Sequence, residues 1–546
     1  MVNNKILQGV YLFFASLTVT VMLYWRLFLT FYQQDEWQAL GHFIAIGWQS
    51  LGNITFLDLF LAKGRLLTVI IYDLIFTVQP YGVTIISIFT LLLHALNGFL
   101  IFLLMQRFFK NKYISILTTF FFLTNSIANQ AVIWPGASLA ILGSTSFVLI
   151  SLFYLLNFLQ LGKIHNYIIA LILVYLSLHL KESALAYIPL YAILPIIFIR
   201  KKLSMRYYLV ALIPIIFFVL SFFLRVGSSL TSTQKVGDYV NSSHNVLAVL
   251  SGNAFTYTFT SFAQILVPPE YMFPFVSKFF SIQYASFLTN PQFDLLTQSI
   301  GADMINMFIS LVFLTVLIFA TIRTKHGITL ILFIGMFVAT LLPYIIIQRG
   351  SSYLESRYYY LLLVPMCGFL GIILTAFIQI KNKIYFIGIS TLLLLLIISY
   401  VRLDQRELTK QQDLARQRNI ILYTLKNEVP HLKQKTVFYI QSDQTYILPT
   451  NPLPFQEGIG YTFLVYLYKP QDQQLSSLLL DNFLWNTGEQ GYRDVGDRGF
   501  GLFVDDQELK SAIKKGRIKK KDVISYYWDS KTMKLVETTK KTVNSL

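Results

Sequence analysis

The N-terminal stretch of the chain decides the fold. Residues 7–37 read LQGVYLFFASLTVTVMLYWRLFLTFYQQDEW. An apolar run of this length can cross a bilayer, and it ends in Tyr-Trp-Arg, without the small residues of a signal-peptide cleavage site. We therefore predict a retained membrane anchor, followed at once by the acidic pair Asp35-Glu36.

The rest of the chain shares this apolar character. Hydrophobic residues make up 55% of the 546 residues and charged residues 13%, whereas a soluble chain has roughly 25% charged residues. The single cysteine, Cys367, excludes a disulfide within the chain. We predict an α-helical polytopic membrane protein. Windows of about 20 apolar residues indicate about eleven spans, with approximate limits 6–30, 83–106, 113–132, 136–160, 166–181, 184–199, 207–225, 304–322, 328–347, 358–380 and 384–402.

The distribution of charge predicts the orientation of these spans. With the N-terminus in the cytoplasm, the inner ends and connectors carry 13 basic residues and no acidic residue, as the positive-inside rule requires. The net charge of +17 is then mostly a topology signal, and no nucleic-acid partner is expected. All ten carboxylates before position 403 fall on the outer side: Asp35, Glu36, Asp58, Asp73, Glu182, Asp238, Glu270, Asp294, Asp303 and Glu355.

The chain divides into two predicted domains. Residues 1–402 form the membrane domain, with long outer loops at 31–82 and 226–303. An odd number of spans places residues 403–546 outside, where their mixed polarity predicts a small α/β domain. Within it, 403–427 has helical spacing, 436–440 and 463–468 resemble strands, and the glycine-rich run 491–501 resembles a loop.

The acidic pair has two interpretations. Apolar residues recur at helical spacing after the pair, at Trp37, Leu40, Ile44, Trp48 and Leu51. This spacing predicts a helix lying in the interface with its tryptophans at headgroup level. Asp35 and Glu36 open this helix, where its dipole stabilises a carboxylate. They are either a helix cap with a first-turn acid, or a catalytic base held just above the bilayer.

Further charged residues stand at predicted outer ends of spans. Lys181-Glu182 interrupts an apolar stretch, as a solvated hairpin tip or as functional groups. Arg357 could bind a phosphate with two hydrogen bonds or extend toward headgroups, and Arg65 offers a similar cation. For His94 the favoured interpretation is a histidine that packs between helices. For Trp134 it is an interfacial anchor at a tight turn.

In their order and topology, these motifs resemble those of the GT-C superfamily of integral-membrane glycosyltransferases, in particular the polyprenyl-phosphate-sugar-dependent mannosyl- and arabinosyl-type enzymes. The resemblance covers roughly residues 1–400. The C-terminal domain matches no family member. The features that carry the resemblance are Asp35-Glu36-Trp37 after the first span, Gly64-Arg65 in the first outer loop, His94 in the second span, Lys181-Glu182 between spans and Arg357-Tyr358 late in the bundle.

This resemblance implies a GT-C-type bundle and an enzyme that transfers a hexose or pentose on the outer face of the plasma membrane. The donor is a polyprenyl-phosphate sugar, the acceptor a hydroxyl of a glycan, lipid or protein, and the anomeric centre is inverted. Asp35 would be the base, and Glu36 would orient either an interfacial helix or the base. Arg357, Lys181 and Arg65 would stabilise the donor phosphate, and Glu182, Tyr358, His94 and Trp134 would line the substrate pocket.

No cofactor is expected, and two other functions stay open. The second outer loop has no Asp-x-Asp motif, which metal-dependent relatives carry, so we predict no required metal. A transporter or flippase of lipid-linked saccharides would predict internal repeats and carboxylates near the bilayer midplane. A noncatalytic envelope scaffold would use the C-terminal domain to bind a cell-wall polymer.

Overall fold

The structure is a computed structural model that describes most of the chain. Its described ranges are 2–52, 54–62, 65–199, 205–231, 254–279, 300–347, 355–380, 383–446, 451–456, 458–486 and 489–546. Three residues named in the sequence analysis, Gly64, Asp238 and Asp294, lie outside these ranges.

The membrane half is helical. Its α helices are α1 (Val2–Tyr24), α2 (Asp35–Ile46), α3 (Gln49–Gly52), α4 (Phe56–Phe60), α5 (Leu66–Val78), α6 (Thr84–Phe109), α7 (Lys112–Thr124), α8 (Gln130–Ile133), α9 (Pro135–Leu161), α10 (Ile164–Leu178), α11 (Tyr187–Ile199), α12 (Met205–Thr231), α13 (Ala254–Leu266), α14 (Pro269–Phe279), α15 (Ile300–Thr324), α16 (Gly327–Ile347), α17 (Leu363–Ile378) and α18 (Lys383–Glu428). Turns of 3-10 helix cover Trp25–Leu29, Ser126–Ala128, Glu182–Ala186 and Ser356–Tyr359.

Each of the eleven predicted windows contains an apolar helix. Among the described residues, six helices are long and apolar enough to cross a membrane by length and composition, and the windows at α7, α10, α11, α12 and α17 hold shorter apolar helices. Helix α5 is a further apolar helix, inside the predicted first outer loop. The predicted class of helical multi-pass membrane protein is confirmed.

The last predicted span, 384–402, is the first part of a longer helix. Helix α18 continues from Lys383 to Glu428 without a break, and it leads directly into the C-terminal domain. The predicted division at 402/403 therefore falls within one helix. The buried Asp404 of this helix accepts a hydrogen bond from the Tyr24 hydroxyl of α1 at 2.9 Å, which ties the first span to the last.

The C-terminal domain contains a five-stranded sheet. The strands are β1 (Lys435–Ser442), β2 (Gly491–Val495), β3 (Arg498–Phe503), β4 (Val523–Asp529) and β5 (Lys534–Glu537), and the helices are α19 (Ile459–Leu467), α20 (Ser476–Leu480), α21 (Asp506–Lys514) and α22 (Thr539–Ser545). The strand order is β2-β3-β1-β4-β5. Strand β1 pairs in parallel with β3 and β4, and the two edge strands are antiparallel to their neighbours.

Two predictions within this domain are wrong. Residues 463–467 of the predicted strand belong to helix α19. The prediction failed because a short apolar run does not distinguish a strand from a buried helix. The glycine-rich run 491–501 forms the β2–β3 hairpin instead of a loop. Gly496 takes a positive φ of 63° at its turn, and Gly499 has no side chain to collide with the Tyr492 ring on the paired strand.

The C-terminal domain is docked on the first outer loop. Helix α2 packs against α19 and α20. These three helices share one apolar core with α5 and the start of α6. Trp37 is fully buried in this core, where its ring lies 5.4 Å from Tyr32 and 6.2 Å from Tyr466. The prediction of Trp37 at headgroup level is therefore wrong, and the helix predicted to run on to Trp48 ends at Ile46 before Gly47 with a positive φ of 53°.

Gly41 tests this docking. A Cβ atom at Gly41 would collide with the hydroxyl of Tyr461, which is buried and donates to the carbonyl of Leu479 at 2.8 Å. We expect Gly41→Ala to lower the free energy of unfolding by about 1–3 kcal/mol, measured by denaturant unfolding in detergent. Gly52→Ala is the matched control, because nothing lies within 4 Å of its added Cβ. Equal stability of the two variants would contradict the docked arrangement.

Candidate functional site

The site is organised by the buried carboxylate of Glu36. This residue is in the first turn of α2 and is fully buried. One oxygen accepts hydrogen bonds from the backbone N–H groups of Gln33 at 3.2 Å and Gln34 at 2.9 Å, and the other accepts from Gly136 N–H at 2.7 Å. Burial raises the pKa of Glu36, and the backbone N–H groups oppose that rise. Glu36 thereby joins the start of α2 to the start of α9.

The start of α9 is built to receive this carboxylate. Pro135 occupies its first helical position, where a missing N–H is tolerated, and Gly136 supplies the free N–H that points at Glu36. A Cβ at Gly136 would lie 3.1 Å from Glu36 Cδ and 3.2 Å from Asp35 Cβ. The tight turn predicted at Trp134 gave no indication of this role for Gly136, because a backbone donor has no side-chain signature.

Asp35 is the exposed member of the acidic pair. Within the described ranges its carboxylate makes no hydrogen bond or ion pair. Desolvation by the surrounding protein raises the pKa of Asp35. The positive charges of Arg357, Lys181 and Arg65 oppose that rise, with Arg357 having the largest effect and Arg65 the smallest. Asp35 is thus a carboxylate open to solvent that faces three cations without being neutralised by direct contact with any of them.

Arg357 is held beside Asp35 by stacking and by one ion pair. Its guanidinium lies 4.4 Å from the centre of the Trp134 ring and forms an ion pair with Glu355. Only 12% of its side chain is exposed. The hydroxyl of the neighbouring Ser356 bonds to Asn129 Oδ1 at 3.0 Å, which fixes this 3-10 turn against the segment before α8. The guanidinium is therefore rigidly placed with donors left over.

Lys181 approaches the site from the turn after α10. Its ammonium lies 3.5 Å from Glu182 Oε1 and 5.5 Å from the centre of the buried Tyr358 ring. Arg357 also lies over that ring, at 5.1 Å. Two of the three cations therefore lie within cation–π distance of the same ring.

Arg65 and Glu182 form a bidentate pair. The Arg65 Nε and a terminal nitrogen donate to the two oxygens of Glu182 at 2.7 and 2.6 Å, although 117 residues separate them in the sequence. Arg65 has a positive φ of 50°, a strained conformation for a residue other than glycine that is often found at functional sites. Glu182 therefore orients a cation and has no oxygen left for a reaction of its own.

The wall beside Arg357 contains buried polar atoms without protein partners in the described residues. These include Trp134 Nε1 and Gln130 Oε1. An unpaired buried donor or acceptor costs free energy, so a bound molecule that pairs with them would gain affinity. Trp134 thus has a polar group available in addition to its stacking role.

His94 lies away from solvent inside the bundle. Its Nδ1 lies 2.7 Å from the Tyr360 hydroxyl and its Nε2 lies 3.2 Å from the Leu123 carbonyl oxygen. Only 1% of the residue is exposed. The structure gives His94 the contacts of a packing histidine and does not bring it to the cations around Asp35.

The metal prediction stays a prediction. The part of the chain that the structure describes contains no group of three or more His, Cys, Asp or Glu side chains that could hold a metal ion. Asp238 and Asp294 of the second outer loop lie outside that part.

Comparisons with known proteins found similarity in structure and none in sequence. No protein-family model matches the chain, and no curated protein matches it. The structure is similar to the crystal structure of ArnT from Cupriavidus metallidurans bound to undecaprenyl phosphate, with a TM-score of 0.41 and 12% sequence identity, over 92% of this chain and 94% of that chain.

The two acids of the pair should respond differently to substitution. Glu36→Gln replaces one of two accepting oxygens by an NH₂ group that faces backbone donors, so we expect a loss of about 1–3 kcal/mol in the free energy of unfolding. Asp35→Asn removes no hydrogen bond and should leave the thermal midpoint unchanged. Thermal unfolding of both purified variants measures this. A stable Glu36→Gln protein would contradict the bridging role.

Proposed function

We propose that this protein is a membrane glycosyltransferase that moves a sugar from a polyprenyl-phosphate carrier to an acceptor hydroxyl on the outer face of the plasma membrane. Asp35 is the general base, and the anomeric centre is inverted. The charge distribution of the connectors supports a cytoplasmic N-terminus, which places Asp35 and the C-terminal domain outside.

One observation carries this proposal. Asp35 is an exposed carboxylate that faces Arg357, Lys181 and Arg65 while making no contact with a partner in the described residues. In a structural ion pair, the carboxylate would contact its cation directly. An open arrangement of one base and several cations suits a reaction in which an acceptor hydroxyl loses its proton on one side and the phosphate of a donor leaves on the other.

The chemistry is a single displacement. The acceptor oxygen attacks the anomeric carbon as Asp35 takes its proton, and the bond from that carbon to the phosphate oxygen breaks. The electron pair of this bond leaves with the phosphate, whose growing negative charge is stabilised by Arg357, Lys181 and Arg65. Arginine suits this task because its planar group can bind a phosphate with two parallel hydrogen bonds.

The environment of the other carboxylates supports inversion. A retaining enzyme needs a second carboxylate to form a covalent sugar intermediate. Glu36 has its oxygens occupied by backbone N–H groups, and Glu182 is held by Arg65. Glu36 is therefore a positioning residue that fixes the start of α2, and Asp35 acts alone as the base.

A lipid-linked donor suits the surroundings of Arg65. The short helix α4 just before it exposes apolar side chains, with Phe56 at 82% and Leu57 at 51% exposure. In a multi-pass membrane protein such side chains contact acyl chains. An isoprenoid tail along this face would bring its phosphate to the arginine at the membrane surface.

Asp35→Asn tests the base. We expect sugar transfer from a radiolabelled polyprenyl-phosphate sugar to fall by roughly 10²–10⁴-fold, the usual contribution of a general base, in folded protein. Asp413→Asn, at an exposed position on α18, is the matched control and should keep full activity. Transfer at a near wild-type rate by Asp35→Asn would remove Asp35 as the base. Movement of the lipid across vesicles without its consumption would indicate a flippase instead.

Arg357→Gln tests the coupling between the cations and the base. Arg357 is the cation that most strongly lowers the pKa of Asp35, so its removal should raise that pKa further. A base works only when ionised, and activity should therefore be lost at a higher pH as the solution is acidified. The pH–rate profile measures the shift, and the rate should also fall by roughly 10²-fold because phosphate stabilisation is lost.

The control for this shift is Arg26→Gln. Arg26 is an outer-side arginine whose guanidinium donates to Thr409 Oγ1 at 2.8 Å, away from Asp35. The acid limb of the pH–rate profile of Arg26→Gln should match that of the wild type. An unshifted acid limb in Arg357→Gln would show that Asp35 is not the titrating base.

A further inference from the structure

The C-terminal domain has an open crevice of about 800 Å³ that the transfer site does not use. It lies where strands β1 and β3 end, beside the first turns of α21. Lining residues include Gln441, Ser442, Gln490, Asp505 and Glu508. This volume falls within the range of small-ligand sites, which is about 300–1,000 Å³.

The sheet topology makes this the expected place for a ligand. The connection that leaves β1 passes through α19, which packs on the sheet face of Phe438 and Ile440. The connection that leaves β3 passes through α21, whose Leu509 packs on the opposite face with Val437. Because the two connections leave toward opposite faces, a crevice opens between the carboxyl ends of the neighbouring strands, and ligands of α/β sheets bind at such switch points.

The crevice is separate from the transfer site. Helices α19 and α20 face the membrane half through α2, whereas α21 lies on the other face of the sheet. A ligand between β1, β3 and α21 therefore contacts a different side of the domain from the one docked near Asp35.

Two polar groups in the crevice are held in place by the backbone. The side-chain oxygen of Gln490 accepts the N–H groups of Val504 at 3.0 Å and Asp505 at 3.1 Å. Its amide nitrogen keeps both donors without a partner in the described residues. One oxygen of Asp505 accepts the N–H of Glu508 at 2.9 Å, which leaves the second oxygen as an acceptor. A fixed donor therefore stands close to a fixed acceptor.

The lining selects the chemistry of the ligand. Amides, hydroxyls and the carboxylates of Asp505 and Glu508 dominate it, and no lysine or arginine is among its described lining residues. An anionic ligand would be repelled by two carboxylates with no compensating cation. Neighbouring hydroxyls of a sugar ring both donate and accept, and they match an amide donor beside a carboxylate acceptor.

We propose that this crevice binds a neutral oligosaccharide. The site is distinct from the one that performs the proposed transfer and would hold a glycan chain on the outer domain. The inference does not depend on the transfer reaction, because binding requires only the C-terminal residues.

The test is saturation-transfer NMR on the full-length protein in nanodiscs. The probes are cellotetraose, mannotetraose and the tetramer of N-acetylglucosamine, with trigalacturonate as an anionic comparison. We expect at least one neutral probe to bind at millimolar concentration and trigalacturonate to bind more weakly than that probe. Failure of all three neutral probes, or preference for trigalacturonate, overturns the proposal.

Two variants locate the binding. Gln490→Glu keeps the oxygen that accepts the two backbone N–H groups but removes the free donors. Asp505→Asn keeps a helix-capping side chain but removes the charged acceptor. Each should weaken binding by about tenfold, the value of one hydrogen bond to a charged or polar group. Unchanged binding in both variants would assign the sugar to another site and overturn the proposal.

Two controls separate this proposal from the transfer function. Gln434→Glu makes the same chemical change at an exposed position at the opposite end of β1 and should leave binding unchanged. Asp35→Asn should abolish transfer but keep oligosaccharide binding. If the wild-type protein binds an oligosaccharide but transfers no sugar, only the proposed transfer function is refuted. If it transfers sugar but binds no oligosaccharide, only the proposal for the crevice is refuted.

Discussion

The site depends on a buried carboxylate that accepts N–H groups from two separate parts of the backbone. Removing a charge from water is costly unless hydrogen bonds replace the lost solvent, and Glu36 obtains them only when the loop before α2 and the start of α9 meet. The same contact sets the direction in which the adjacent Asp35 leaves the helix. The burial of Glu36 thus determines where Asp35, the proposed base, lies.

The cations around Asp35 come from three distant parts of the chain, and each is restrained differently. Arg65 is held by Glu182, Lys181 lies over the Tyr358 ring, and Arg357 is stacked on Trp134. These contacts hold the three cations out of direct contact with the carboxylate of Asp35. Glu182 and Glu355 balance part of this positive charge, but none of the three cations contacts Asp35 directly. Cations fixed in advance in this way can stabilise charge that appears during a reaction.

Much of this arrangement was predictable, and the failures have physical causes. Span-length apolar runs and the separation of acidic from basic residues predicted the membrane class, and the same reasoning identified the cations that the structure places around Asp35. The pairing of Arg65 with Glu182 was not predictable because it joins residues 117 positions apart. Gly136 acts through its backbone, and the helix at 459–467 was misread because burial on all sides removes the periodicity that identifies a helix. The hairpin at 491–503 did carry a signal, the Gly496-Asp497 pair between its strands.

The unbroken helix α18 has a mechanical consequence. Its 46 residues correspond to about 69 Å at 1.5 Å per residue, more than twice the roughly 30 Å of a bilayer's apolar core. The C-terminal domain therefore follows directly on one continuous helix, and its rotational position about the helix axis is set by the number of residues in that helix. Each residue turns an α helix by about 100°, so a single insertion in the emergent part would swing the sheet away from α2. The linkage between the helical bundle and the C-terminal domain is thus constrained by helical phase as well as by length.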